Sequence, residues 1–318
     1  MSAMDSQQIA DLATSERAKS VTERLGTLER PRSPVERFTH ALSNSTVTII
    51  VVIIALLWSI PTFGLFVSSF RPPALIASTG WWTGFVPPWH ATIQNYQAVI
   101  QGQGFGQAFI NSLIISIPGT ILPIAIGSFA AYAFAWMKFP GRDFLFLVVV
   151  AMLVVPNQIA LAPILSIFTS IGLTGQYAAV WIVHMAFGLP FAIFLLTNFF
   201  SALPKDLIES AHIDGASSFR TFWNLIIPLS IPALASLAIF QFMWVWNDLL
   251  VALVVLGGNP SSTPMTVTIA NMVNATTSNS NFQILASAAF VSTILPLIIF
   301  FALQRYFVRG ILAGSVKG

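Results

Sequence analysis

The chain has 318 residues, 56% of them apolar and only 8% charged, against about 25% charged in a soluble domain. A mean hydropathy of +0.80 and a net charge of +3 exclude a soluble enzyme, a disordered chain and a nucleic-acid binder, and indicate an all-α polytopic membrane protein. Cysteine is absent, which rules out a disulfide framework, a thiol nucleophile and a Cys-ligated metal.

Residues 1–45 are polar and hold Arg17, Lys19, Arg24, Arg30, Arg32 and Arg37, balanced by six acids. A secretory signal places its apolar core directly after a short basic start, whereas here the apolar run begins only near Thr46. This segment therefore reads as an uncleaved cytoplasmic tail. A helix needs about 20 apolar residues to cross the hydrocarbon layer. Six runs qualify, roughly 46–70, 107–135, 144–170, 177–200, 226–256 and 284–306, which bounds a membrane domain at 46–306. Prolines 61, 118, 123, 156, 163, 190, 228, 232 and 296 fall in these runs and predict kinked helices.

Lysine and arginine set the orientation. With the N-terminal tail in the cytoplasm, the inner segments 1–45, 136–143, 201–225 and 307–318 hold 12 of the 14 cations, and Arg71 alone lies outside. Both termini are then cytoplasmic. The outer loops are 71–106, with Trp81, Trp82, Trp89 and two proline pairs, and 257–283, rich in Gly, Asn, Ser and Thr. Their tryptophans serve either as interfacial anchors or as contacts for an external partner.

The inner segment 201–225 has mechanical character. Pro204 is placed to open a helix, Asp206 and Glu209 suit its positive N-terminal end, and Leu207, Ala211 and Asp214 follow at helical spacing. Gly215 suits a left-handed position that ends the helix. A second helix is expected through Phe219, Phe222 and Trp223, running into the fifth span at Pro228. The pattern predicts a helix–Gly–helix elbow with an apolar face, tied to a membrane helix.

The run Glu209-Ser-Ala211-His-Ile-Asp214-Gly215-Ala216, with Pro228 thirteen residues after the Gly, resembles the "EAA loop" of permease subunits of bacterial ABC importers; Ser210 stands where that family usually has Ala. The C-terminal run Gln304–Gly318, with Asn95-Tyr96, Asn111-Ser112 and Trp246-Asn247-Asp248, resembles the carbohydrate-importing, MalG-like branch. The resemblance covers about 46–318 and implies the type I permease fold in the cytoplasmic (inner) membrane. It implies that Glu209, Ala211, Asp214, Gly215, Ala216 and Phe219 dock on a separate ATPase, and that Gly310, Gly314, Lys317 and Gly318 in the 307–318 tail contact it too. The implied partners are a second homologous permease, an ATP-binding subunit dimer and an extracytoplasmic solute-binding protein.

The chain itself shows no enzymatic signature. No Gly-Lys dipeptide, His-Glu-x-x-His or Gly-x-Ser-x-Gly occurs. No cofactor is expected on this chain, with ATP and Mg²⁺ held by the partner ATPase. Asp248 is the only acid in a span and His184 the only other titratable group at depth, which leaves open a proton-coupled secondary carrier. Gln241, Trp244 and Asp248 fall at i, i+3 and i+7, with Asn247 beside them. Such a stripe suits a sugar path, where amides and a carboxylate bond hydroxyls and an indole stacks on C–H faces; it equally suits hydrogen bonding to a partner permease. If Asp248 stands near the outer end of its span, it seals the gate instead. The expected substrate is an oligosaccharide or α-glucoside of the maltose or trehalose type, with a polyol or glycerol-phosphate permease as the alternative.

Overall fold

The computed structural model describes residues 34–102, 104–275 and 281–315, with the side chains of 46–102, 104–273 and 281–304. Among these residues every regular element is helical. The chain divides into two units between Phe63 and Gly64. Helix α1 (Pro34–Ser69) begins well before the apolar run starts. In the first unit its apolar side chains from Val47 to Phe63 are exposed, as suits a helix whose solvent is hydrocarbon.

The second unit contains α2 (Pro73–Ser78), α3 (Gln94–Gly102), α4 (Phe105–Trp136), α5 (Arg142–Met152), α6 (Asn157–Ser170), α7 (Tyr177–Ser201), α8 (Lys205–Ile213), α9 (Ser218–Leu229), α10 (Ile231–Trp246), α11 (Leu250–Leu256), α12 (Met265–Ala275) and α13 (Phe282–Ser315). Helix α4 is central and packs on both α7 and α10. Its buried positions are mostly small: Ala108, Ser112, Ser116, Gly119, Thr120, Gly127, Ser128 and Ala131. Apolar side chains gain nothing from leaving lipid for protein, so close backbone approach supplies the attraction between membrane helices. A Cβ at Gly127 would lie 2.8 Å from the Ala192 Cβ of α7, and one at Gly119 would lie 3.0 Å from Val245 of α10.

Among the described residues four helices are long and apolar enough to cross a membrane unbroken, and two bent helix pairs bring the number to six if each pair is one span. The run 144–170 is not one kinked helix: α5 and α6 meet at 97°, with Leu153–Pro156 between them. Pro156 has no N–H to give the Met152 carbonyl four residues back, and α5 ends at Met152. The run 226–256 also departs from a single span. Helix α9 meets α10 at 75° at Ser230, bracketed by Pro228 and Pro232, and α10 stops at Trp246 before the separate α11. The remaining helix-interior prolines, such as Pro118 and Pro190, are carried without a break. Helix α13 continues past residue 306 to Ser315, so the expected C-terminal tail is largely a helical extension.

At the end of the bundle opposite α8, Arg71 closes the loop that follows α1. Its buried guanidinium donates to the carbonyls of Gly80 at 2.9 Å and Leu75 at 3.3 Å and to the hydroxyls of Thr79 and Thr83. Asn95 Nδ2 donates to the Ser69 and Arg71 carbonyls, and the Ser287 hydroxyl donates to the same Ser69 carbonyl from α13. Trp81 packs against Gly64, whereas Trp82 and Trp89 are exposed.

Gly127→Val forces α4 and α7 apart and is expected to cost about 1–3 kcal/mol of overpacking. The thermal midpoint of the detergent-solubilised protein falls clearly, while Gly102→Ala, where an added Cβ meets nothing within 4 Å, leaves it near wild type.

Candidate functional site

The elbow forms at 205–230. Pro204 lies just outside α8, and Asp206 occupies its first turn. Helix α8 ends as Gly215 allows: at φ +79° its N–H bonds the His212 carbonyl at 3.0 Å, and the Ala216 N–H bonds the Ala211 carbonyl at 3.0 Å. This double bond over a left-handed glycine satisfies two of the orphan carbonyls at the helix end. Ser217 then caps α9, its hydroxyl accepting the Arg220 N–H at 3.3 Å. The Ser210 hydroxyl bonds back to Leu207 O at 3.1 Å, so the departure from the family's usual Ala is absorbed within the helix.

The elbow is anchored on one side and bare on the other. Ile208 is buried in a cluster with Tyr132, Leu196, Phe200 and Phe222. Phe222 stacks on Phe129 at 4.6 Å. Residues Phe222–Ile226 form a π turn, the wider winding frequently found at functional positions in helices. The opposite face leaves Ile213 85% and Phe219 67% exposed, with Leu207 and Trp223 beside them. Glu209, Asp214 and Gly215 are exposed as well, and Ala211 and Ala216 half-buried. A mixed apolar and acidic face of this kind, rigidly joined to a span, is built to be covered.

Four expected ATPase contacts fall elsewhere. Lys317 and Gly318 lie outside the described residues; Gly310 and Gly314 lie on the backbone of α13, where side chains are not described.

The Gln241, Trp244, Asn247, Asp248 stripe is only partly realised. Helix α10 ends at Trp246, so Asp248 does not continue its face. Gln241 is 2% exposed, occupies the space left by Gly188, and donates from Nε2 to the Gly119 carbonyl at 3.2 Å. Trp244 is 41% exposed. Both line a cleft of about 470 Å³ at the α5–α6 break, together with Asn157, Phe187, Phe191 and Phe240. Asn157 was not singled out in the sequence, although Pro156 immediately before it marks the break. Asn247 bonds its own turn, Nδ2 to Met243 O at 2.7 Å. Asp248 caps α11, its carboxylate accepting the N–H groups of Val251 at 3.4 Å and Ala252 at 3.1 Å. Its Oδ2 lies 3.8 Å from Nε2 of His184 on α7. Among the described residues no group of three or more His, Cys, Asp or Glu could hold a metal ion.

Residues 123–313 match the family model described as "Binding-protein-dependent transport system inner membrane component". The osmoprotective compounds uptake permease protein GgtD of Synechocystis sp. is 53% identical over 88% of this chain and 95% of its own length. The α-glucoside transport system permease protein AglG of Rhizobium meliloti is 49% identical over 74% of this chain and 63% of its own length. A chain in the crystal structure of a bacterial ABC transporter that imports the acidic polysaccharide alginate superposes with a TM-score of 0.72 at 20% identity, covering 87% of this chain and 99% of that one.

Gly215→Val places a branched side chain in left-handed backbone, at a cost of roughly 1–2 kcal/mol. Hydrogen exchange at the amides of Gly215 and Ala216 is expected to accelerate by about 5–30-fold, read by mass spectrometry, with the spans unchanged.

Proposed function

Because the chain belongs to the family of binding-protein-dependent transport system inner membrane components, a multi-pass membrane family, we propose that it forms one half of the translocation path of an ATP-driven carbohydrate importer. The observation that carries this reading is the exposed elbow: a partner docked on Ile213, Phe219 and Trp223 pushes directly on α9 and, through the bend at Ser230, on α10.

In this reading the termini and the elbow face the cytoplasm, as the distribution of Lys and Arg favours. A second homologous permease completes the path, since six spans are too few to enclose it. Each permease receives one ATPase on its elbow, through Glu209, Ala211, Asp214, Gly215, Ala216 and Phe219, with Gly310, Gly314, Lys317 and Gly318 as further contacts. ATP and Mg²⁺ are held by the ATPase dimer and none by this chain. ATP binding closes that dimer, draws the two elbows together and opens the path outward, where a solute-binding protein delivers the sugar. Hydrolysis resets it.

The substrate is an α-glucoside or short oligosaccharide. A relative named for α-glucosides supports this class. So does the cleft: Asn157 offers an amide and Trp244 an indole face, and none of its lining residues is charged. An uncharged lining disfavours a glycerol phosphate, whose charge has no counter-ion there. A proton-coupled carrier is disfavoured as well, because the Asp248 carboxylate is engaged in capping α11.

Pull-down of the tagged chain from solubilised native membranes is expected to bring down an ATPase and a second permease, and Gly215→Pro to lose the ATPase while keeping the permease. A chain that comes down alone would end the importer reading. Trp244→Ala is expected to lower uptake about tenfold while the complex still assembles; unchanged uptake kinetics would remove the cleft from the path.

A further inference from the structure

Between α10 and α11 the chain turns through Asn247, Asp248 and Leu249, and Asp248 gathers four segments there. Its position ends α10, and its carboxylate holds the first turn of α11. Its carbonyl accepts the Thr266 hydroxyl of α12 at 2.6 Å. Its Oδ2 stands 3.8 Å from Nε2 of His184 on α7. His184 is 2% exposed, and Nε2 has no hydrogen-bond partner among the described residues. The other four acids beyond residue 46 lie in the elbow or beside Arg142, so this is the only carboxylate available to that imidazole among the described side chains.

A separation of 3.8 Å is roughly 1 Å too long for a hydrogen bond, and a buried ring nitrogen left just short of an acceptor is costly in apolar surroundings. A sliding of α11 and α12 along α7 by that small amount makes or breaks the bond. We propose that His184 and Asp248 are a positioning pair, a latch that holds α11 and α12 against α7 at the end of the path opposite the elbow and so keeps that end closed until the binding protein docks. This rests on the importer reading above. The latch sets the balance between closed and open states, and a ligand or partner that prefers the open state must overcome it.

The test uses the whole transporter in proteoliposomes, with ATP hydrolysis measured with and without its binding protein. Stimulation of wild type by the binding protein is the control; its absence would overturn the importer reading and the latch together. His184→Phe and Asp248→Asn are each expected to raise hydrolysis without binding protein about tenfold, the effect of one charge-assisted hydrogen bond. The double variant rises no further than either single one. His184→Gln, whose amide N–H reaches where Nε2 stood, returns hydrolysis toward wild type. Additive rises in the double variant, or a rise with Asp248→Asn alone, would reduce Asp248 to the cap of α11 and sink the latch. If His184→Phe fails to assemble, the cysteine-free chain offers a second route. His184→Cys with Asp248→Cys, bridged by a short bifunctional thiol reagent, is expected to cross-link in the resting complex and lose the cross-link when ATP is trapped. Equal cross-linking in both states would overturn the proposal.

Discussion

Backbone N–H and C=O groups inside a bilayer have no water to turn to, so every interruption of a helix there must be closed by the protein itself. This chain breaks two apolar helix pairs, at Leu153–Pro156 and at Ser230, and starts a further helix after Trp246. Proline limits the damage at the first two, because a residue without an N–H leaves one donor fewer to satisfy. At the third, Asp248 supplies the acceptor for the new helix. Each break also has a use: one opens the cleft beside Asn157, one turns the elbow into the membrane, and one carries the carboxylate that faces His184.

Breaks alone would make a loose bundle. The small-residue ridge of α4 prevents this by letting α7 and α10 approach until Gly127 meets Ala192 and Gly119 meets Val245. Polar side chains then fix the axial register. Gln241 reaches the Gly119 carbonyl, and Asn111 holds the Ser261 and Thr263 carbonyls at 3.0 and 2.9 Å. Arg71 does the same for the loop after α1, with carbonyls and hydroxyls as its acceptors. Rigid packing lets a displacement of one helix carry its neighbours as bodies.

The elbow and the break at Ser230 form one lever. Phe222 and Ile208 seat it in the core beside Tyr132 and Phe200, while Phe219 and Ile213 remain bare. The π turn between the seated and bare parts widens the helix by one residue per turn and orients Trp223 toward Phe219 and Phe129. A rigid seat with an uncovered face is the physical form that coupling to another subunit requires.

Local features of the chain were legible in its sequence. The apolar helices followed from apolar length, which the thickness of a bilayer fixes, and the elbow followed from Pro204, Gly215 and Phe219, whose conformational preferences act within a few residues. The prolines announced bends but not their size, since most, such as Pro118 and Pro190, are accommodated by neighbouring helices that only the fold supplies. Helical spacing put Gln241, Trp244 and Asp248 on one stripe, yet α10 ends before Asp248, and packing buries Gln241 against Gly188 while leaving Trp244 part-exposed. The approach of Asp248 to His184, and the cleft that Asn157 and Gln241 share, join residues far apart in the chain and were decided by tertiary structure alone. Solvent and backbone preference operate residue by residue and can be read along a sequence; which side chains share a buried space depends on how helices cross, and that is settled only when they pack.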